Sequence, residues 1–186
     1  IVFSDVASDT LLLSRKTCRE CQTRENPLEL VRQYVAEGGG FCMIGGHVSF
    51  QGYQGIANYR NTILAQLLPV DMLPGDDRVE APQGVRPKPR MAHQVLDGLQ
   101  GEWPVYLGYN RLIAKRGAHV LLTCDDDPFL VVSDYGKGRV AAFASDCAQH
   151  WATPEALNWE GYGRFWVQLI RWLAGREQGE PVTTIS

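Results

Sequence analysis

Apolar residues fall into short blocks along this chain, and the period of those blocks changes midway. Residues 1–5, "IVFSD", have the compact apolar character of a strand. Asn26-Pro27-Leu28-Glu29 then supplies an N-cap, a first-turn proline and an early acid, which predicts a helix. Leu30, Val31, Tyr34 and Val35 recur at helical spacing on one face of it, and Gly38 to Gly40 end it. Residues 41–44 are apolar throughout, as a central parallel strand buried on both faces should be. Ile63, Leu64, Leu67 and Leu68 predict a short helix, and the proline-rich stretch 71–92, without periodicity, reads as a long loop. Strand blocks crowd the second half at 105–107, 113–114, 120–123, 129–133 and 139–145, with "DYGKGR" as the hairpin turn between the last two. Tyr162, Phe165, Trp166, Leu169, Ile170 and Leu173 form the apolar face of a C-terminal helix closed by Gly175. Their helical spacing assigns these aromatics to the core rather than to a ligand box.

Strand-helix-strand order followed by a strand-rich half predicts an α/β fold, a mostly parallel sheet with antiparallel additions. With 186 residues and 45% apolar content, the chain can bury one sizeable core, so a single domain over 1–186 is expected. A net charge of -3 argues against nucleic-acid binding, which needs clustered Lys and Arg. The basic cluster "RPKPR" at 86–90 carries two prolines and reads as an exposed loop. No apolar run approaches the ~20 residues that span a bilayer, and no signal-peptide pattern occurs. Five cysteines at irregular spacing fit reduced thiols in a cytoplasmic protein better than a disulfide framework. Because the chain opens abruptly on a strand pattern, part of the fold is expected to be missing at its N-terminus.

In an α/β sheet, ligands collect beyond the carboxyl ends of parallel strands. Three such ends are chemically rich: Asp5 with Ser8 and Asp9; Gly45-Gly46-His47 with Ser49 and Gln51; and Asp146-Cys147 with His150 and Trp151. The paired glycines either permit a tight turn or let an oxygen of a ligand approach backbone N–H groups. Cys147, His150 and Asp146 are the material of nucleophilic catalysis, in which a base raises the thiolate fraction and an acid orients the base. Alternatively, Cys147 is a small core residue and His150 bonds Asp146 to lock the turn. Asn110, after the strand block "PVYLG", either adds a polar group to the cleft or forms a turn. Cys18-Arg19-Glu20-Cys21 lacks the second pair that structural zinc requires and reads as a surface loop. Asp125-Asp126-Asp127 reads as a solvated turn. No phosphate loop, dinucleotide fingerprint or HExxH motif occurs, so neither cofactor nor metal is called for.

Four longer motifs, "GGGFCMIGGHVSFQG", "LLPVDMLPGDDRVE", "WPVYLGYN" and "FASDCAQHWA", resemble cytoplasmic proteins of the class I glutamine amidotransferase-like superfamily. The resemblance runs from Ile1 to about Gly175. It implies a flavodoxin-like three-layer α/β/α sandwich that has lost some tens of N-terminal residues. In class I amidotransferases a cysteine nucleophile follows the strand, and laid on this sequence it falls on Gly45. Cys42 stands three residues too early, and the superfamily's His-x-Glu pair is reduced to His150 with Glu155 five residues on. The expectation is a domain that binds a small polar metabolite through Asp5, Asp9, Gly45, Gly46, His47 and Asn110 without glutaminase activity. The alternative is a hydrolase or transferase using Cys147, His150 and Asp146.

Overall fold

The computed structural model describes residues 1–176. The expected single domain runs on to 186, and residues 177–186 lie outside those described. From β1 (Val2–Ser4) the chain passes through α1 (Ser8–Leu12), α2 (Arg15–Glu20) and α3 (Pro27–Ala36) to β2 (Gly40–Ile44). Two short 3-10 turns and α4 (Leu64–Leu67) precede β3 (Val70–Met72), β4 (Arg78–Val85) and β5 (Lys88–Pro89). Then come β6 (Tyr106–Asn110), β7 (Leu112–Ala114), β8 (His119–Cys124), β9 (Asp127–Tyr135), β10 (Gly138–Phe143), α5 (Pro154–Leu157) and α6 (Tyr162–Leu173).

Six strands form the main sheet in the order β1-β2-β10-β9-β8-β5. β1, β2 and β10 pair in parallel, while β9, β8 and β5 add on antiparallel. The fold is therefore α/β with a parallel half that carries the candidate strand ends. Strand β2 owes its central place to its composition, because Phe41, Cys42 and Met43 are fully buried between neighbours. Val140, Ala141, Ala142 and Phe143 of β10 are buried as completely. Each large side chain so buried contributes roughly 1.5–3 kcal/mol of transfer free energy. Helices α3 and α6 both pack on β2 and β10. The fully buried Phe143 packs against Phe165 and Trp166 of α6 at centroid distances of 5.7 and 5.2 Å.

Four expectations need correction. The buried stripe of α3 is Leu28, Val31 and Val35, whereas Leu30 and Tyr34 are each 47% exposed. Only a narrow i, i+3, i+7 stripe meets the sheet, so the other two apolar positions face outward. On α6 the same narrowing leaves Ile170 outward and brings Trp172 inward. Residues 71–92 are not one loop, since they include β4 and β5. Proline is tolerated there because β4 is bulged between Glu80 and Val85 and pairs only with β6, while β5, which takes Lys88 and Pro89 from the basic cluster, is an edge strand. Strands β6 and β7 pair with β4 and β3 in two small separate sheets rather than extending the main one.

Candidate strand-end site

The carboxyl ends of β1, β2 and β10 lie side by side, and the residues beyond them converge. Asp5 leaves β1 in the left-handed region (φ 49°), which turns the chain so that its amide donates to Ser49 Oγ at 3.0 Å and its Oδ1 accepts from Val48 N at 2.7 Å. Beyond β10, Asp146 Oδ2 lies 2.6 Å from His150 Nδ1 and accepts from Trp151 N at 3.2 Å. Between these two carboxylates stands Gly46. A Cβ there would sit 2.7 Å from Asp5 Oδ1 and 2.8 Å from Asp146 Oδ1, and its φ of 148° is one that side-chain residues rarely adopt. Only glycine fits.

The neighbouring glycine is confined by backbone. A Cβ on Gly45 would lie 2.2 Å from the Ala144 carbonyl oxygen and 2.7 Å from Asn110 Oδ1. Nor do the two glycine amides offer an oxyanion hole. Gly45 N donates to Phe143 O at 2.7 Å and Gly46 N to Asn110 Oδ1 at 2.9 Å, so both donors are committed within the fold. Asn110 is fully buried at the end of β6, and its Nδ2 donates to Asp77 Oδ1 at 2.8 Å. Asp77, 1% exposed, also accepts from the amides of Gln51 and Gly52. Burial pushes the Asp77 carboxyl up, against the lowering effect of those three donors. Asn110 thus fixes the glycine turn from beneath.

Above the turn the rings form a chain. His47 stacks on Tyr53 at 5.1 Å and meets His150 edge to face at 5.9 Å, and His150 in turn stacks on Trp151 at 4.8 Å. Arg78 lies 4.6 Å from the Tyr53 ring centroid and 3.3 Å from His47 Nδ1. It also pairs with Glu80, whose other oxygen accepts from Trp151 Nε1 at 3.0 Å. His150 is held at φ 150°, an uncommon conformation for a side-chain residue that is kept by the Asp146 contacts. Burial pushes the Asp146 carboxyl up, and nearby Asp5 adds to the shift, while His150 pulls it down.

Of the residues singled out in the sequence, Asp5, Gly45, Gly46, His47, Asn110, Asp146 and His150 are brought together, whereas two are not. Asp9 is exposed on α1 away from these contacts. Cys147 turns its sulfur to Ser4 Oγ at 3.6 Å, and its carbonyl accepts from Tyr162 of α6. Cys42 is fully buried and its thiol is pushed up to about 12 by that burial. Cys18 and Cys21 are exposed on and after α2. Tyr53, Asp77, Arg78 and Glu80 belong to the cluster but were not anticipated. Arg78 and Glu80 had a signal in "GDDRVE", where Asp76, Arg78 and Glu80 recur with a strand period inside a stretch read as loop, whereas Tyr53 and Asp77 had none. Among the described residues, no three His, Cys, Asp or Glu side chains converge to hold a metal ion. No helix among them is long and apolar enough to cross a membrane.

Arg78 grips Asp76 through Nε at 3.0 Å and Nη2 at 3.0 Å, and this pulls the Asp76 carboxyl down to about 2. A carboxyl lowered on folding stabilises the protein above its unfolded value near ~4 and loses that stabilisation as pH falls toward the folded value. Arg78→Gln should therefore flatten the acid limb of stability between pH 4 and 2. Urea denaturation of both proteins at several acid pH values measures it, and parallel curves would refute it.

The sequence profile of a family described as "Putative glutamine amidotransferase" matches residues 1–175. The chain belongs to that family. Among solved structures, this amidotransferase-like chain is 47% identical to cytoplasmic protein STM1381 from Salmonella typhimurium LT2 (TM-score 0.91, covering 93% of this chain and 71% of that one). It is 44% identical to cytoplasmic protein STM3548 from Salmonella typhimurium (TM-score 0.92, 95% and 72%). A ThuA-like protein from Parabacteroides merdae ATCC 43184 shares the fold at 14% identity (TM-score 0.60, 86% and 69%). No curated protein matches significantly.

Proposed function

We propose that this amidotransferase-like domain binds a small polar metabolite at the strand ends and has no glutaminase activity. One observation supports the reading: at Gly45, on which the resemblance lays the superfamily's nucleophile, a Cβ would stand 2.2 Å from a backbone oxygen. Two carboxylates and two imidazoles around Gly46 suit a ligand rich in hydroxyl or amino hydrogens, which Asp5 and Asp146 would accept. The proposed ligand shell is Asp5, His47 and His150 with the Gly45-Gly46 turn, and Asn110 acts from below as a positioning residue. Asp9 joins it only if α1 moves. The negative net charge supports a partner that is not nucleic acid, and likeness to two Salmonella cytoplasmic proteins supports a cytoplasmic place. Helices α3 and α6, packed on the same two strands, fit the two outer layers of a flavodoxin-like sandwich.

A second reading, a hydrolase or transferase using Cys147, His150 and Asp146, is favoured by the 2.6 Å contact between Asp146 and His150, which orients the imidazole for acid–base work. It requires the Cys147 side chain to turn from Ser4 toward His150. Two measurements separate the readings. Ammonia release from glutamine should stay at background, and thermal-shift screening of hydroxylated and amino metabolites should give a hit that His150→Ala abolishes. Turnover of glutamine that disappears in Cys147→Ser would overturn the first reading and support the second.

A further inference from the structure

The five cysteines of this chain divide by their surroundings. Cys42 and Cys124 are buried, and burial above all pushes both thiols up to about 12. Cys147 is half-buried, with its sulfur against Ser4 Oγ. Cys18 and Cys21 are exposed, three residues apart at the C-terminal end of α2.

The geometry of these two departs from that of an ordinary helical pair. Residues at i and i+3 of a regular helix hold their Cβ atoms about 5–6 Å apart, outside the roughly 3.5–4.5 Å that a disulfide requires. Cys21 is not helical: it caps α2 in the left-handed region, at φ 50° and ψ 31°. Its Cα is still placed by the helix up to Glu20, about 5 Å from the Cα of Cys18 and inside the disulfide range. Turning φ from the helical value of about −63° to 50° swings the Cβ of Cys21 back over the preceding turn, to about 4 Å from the Cβ of Cys18. Backbone contacts hold the bend. Cys21 N and Gln22 N both donate to Lys16 O, the latter at 3.1 Å. The two sulfurs can therefore meet with little movement of the main chain.

The pair also lies in a positive patch. Residues 15–24 carry Arg15, Lys16, Arg19 and Arg24, all exposed, against the single carboxylate of Glu20, in a chain whose net charge is -3. Such a patch draws anions.

We propose that Cys18 and Cys21 form a reversible dithiol/disulfide couple, independent of the strand ends, that exchanges with a small anionic disulfide such as glutathione disulfide. One cysteine loses its thiol proton, its sulfur attacks a sulfur of the oxidant, and the S–S bond of the oxidant breaks to release one glutathione thiolate. The sulfur of the other cysteine then displaces the second thiolate, which closes the bond between Cys18 and Cys21. Two electrons pass from the protein to the oxidant, and the two thiol protons end on the released glutathiones.

The test incubates the intact protein in glutathione buffers of increasing disulfide fraction, blocks the remaining thiols with N-ethylmaleimide in denaturant and maps the labels by peptide mass spectrometry. Cys18 and Cys21 should lose their labels together and become linked, while Cys42, Cys124 and Cys147 keep theirs. Cys18→Ser should stop at a glutathione adduct on Cys21. Thr17→Cys combined with Cys18→Ser moves the thiol one residue back, to a Cβ separation of about 7 Å by the same helix geometry. Half-closure of that variant should need a buffer at least about tenfold more oxidising, because its thiols meet at a lower effective concentration. Melting temperatures check that each variant is folded. Arg19→Gln should slow exchange with glutathione disulfide but not with uncharged hydroxyethyl disulfide. Thiols that stay labelled or end as separate glutathione adducts overturn the couple, as does a bond from either cysteine to Cys147 or to a second molecule. Closure of the double variant in the same buffers overturns the role of the left-handed cap, and unchanged exchange in Arg19→Gln overturns the preference for an anionic oxidant.

Discussion

Gly45→Cys is expected to lower the melting temperature by roughly 10 °C and still to release no ammonia from glutamine. The substitution introduces a cysteine where the resemblance to class I amidotransferases lays their nucleophile. Yet the Cβ alone would stand 2.2 Å from the Ala144 carbonyl oxygen, well inside any tolerated contact. That carbonyl cannot swing aside freely, because it accepts from Asn110 N at 2.8 Å. Overpacking of this kind costs about 1–3 kcal/mol and sometimes more. For a domain of this size each kcal/mol moves the midpoint by about 2–4 °C. Thermal denaturation and an ammonia assay are the readouts. A protein that melts like the parent and hydrolyses glutamine in an iodoacetamide-sensitive way would show that the turn can be reshaped into an active elbow.

The strand ends were legible in the sequence because apolar runs that stop at polar residues mark both a buried strand and its exit. Residues 41–44 followed by Gly45, and 139–145 followed by Asp146, needed no more than that pattern, and the fold then set Asp5, His47, Asp146 and His150 together. What the pattern could not supply was the direction of side chains after the strand. Cys147 lies next to Asp146 in sequence, but its sulfur sits with Ser4 while His150 bonds Asp146 across a turn. Spacing alone treats those two outcomes alike. Arg78 and Asp77 escaped notice for a different reason: prolines on either side made β4 look like loop, and its pairing with β6 is a long-range contact that local propensity does not encode.

Asn110→Ala should destabilise the protein by about 3 kcal/mol or more, with a deficit that grows as pH rises from 4 to 7. The fully buried side chain makes three contacts: it accepts from Gly46 N at 2.9 Å, and it donates to Gly46 O at 3.3 Å and to Asp77 Oδ1 at 2.8 Å. Truncation leaves a buried amide and part of a buried carboxylate unpaired, at about 1–3 kcal/mol each, more where charge is involved. The pH dependence follows from Asp77. Burial already raises its carboxyl above the ordinary value, and loss of the Asn110 donor raises it further. A carboxyl raised on folding favours the native state below its unfolded value near ~4, and that advantage is lost as pH climbs through the folded value. The variant has the higher folded value, so its disadvantage is least at pH 4. Asp77→Ala together with Asn110→Ala should cost less than the two single changes added, because removing both partners leaves less unpaired charge. Urea denaturation of the four proteins at pH 4 and pH 7 supplies every quantity. Additive costs, or a deficit that does not change with pH, would mean that Asn110 and Asp77 support the glycine turn independently of each other.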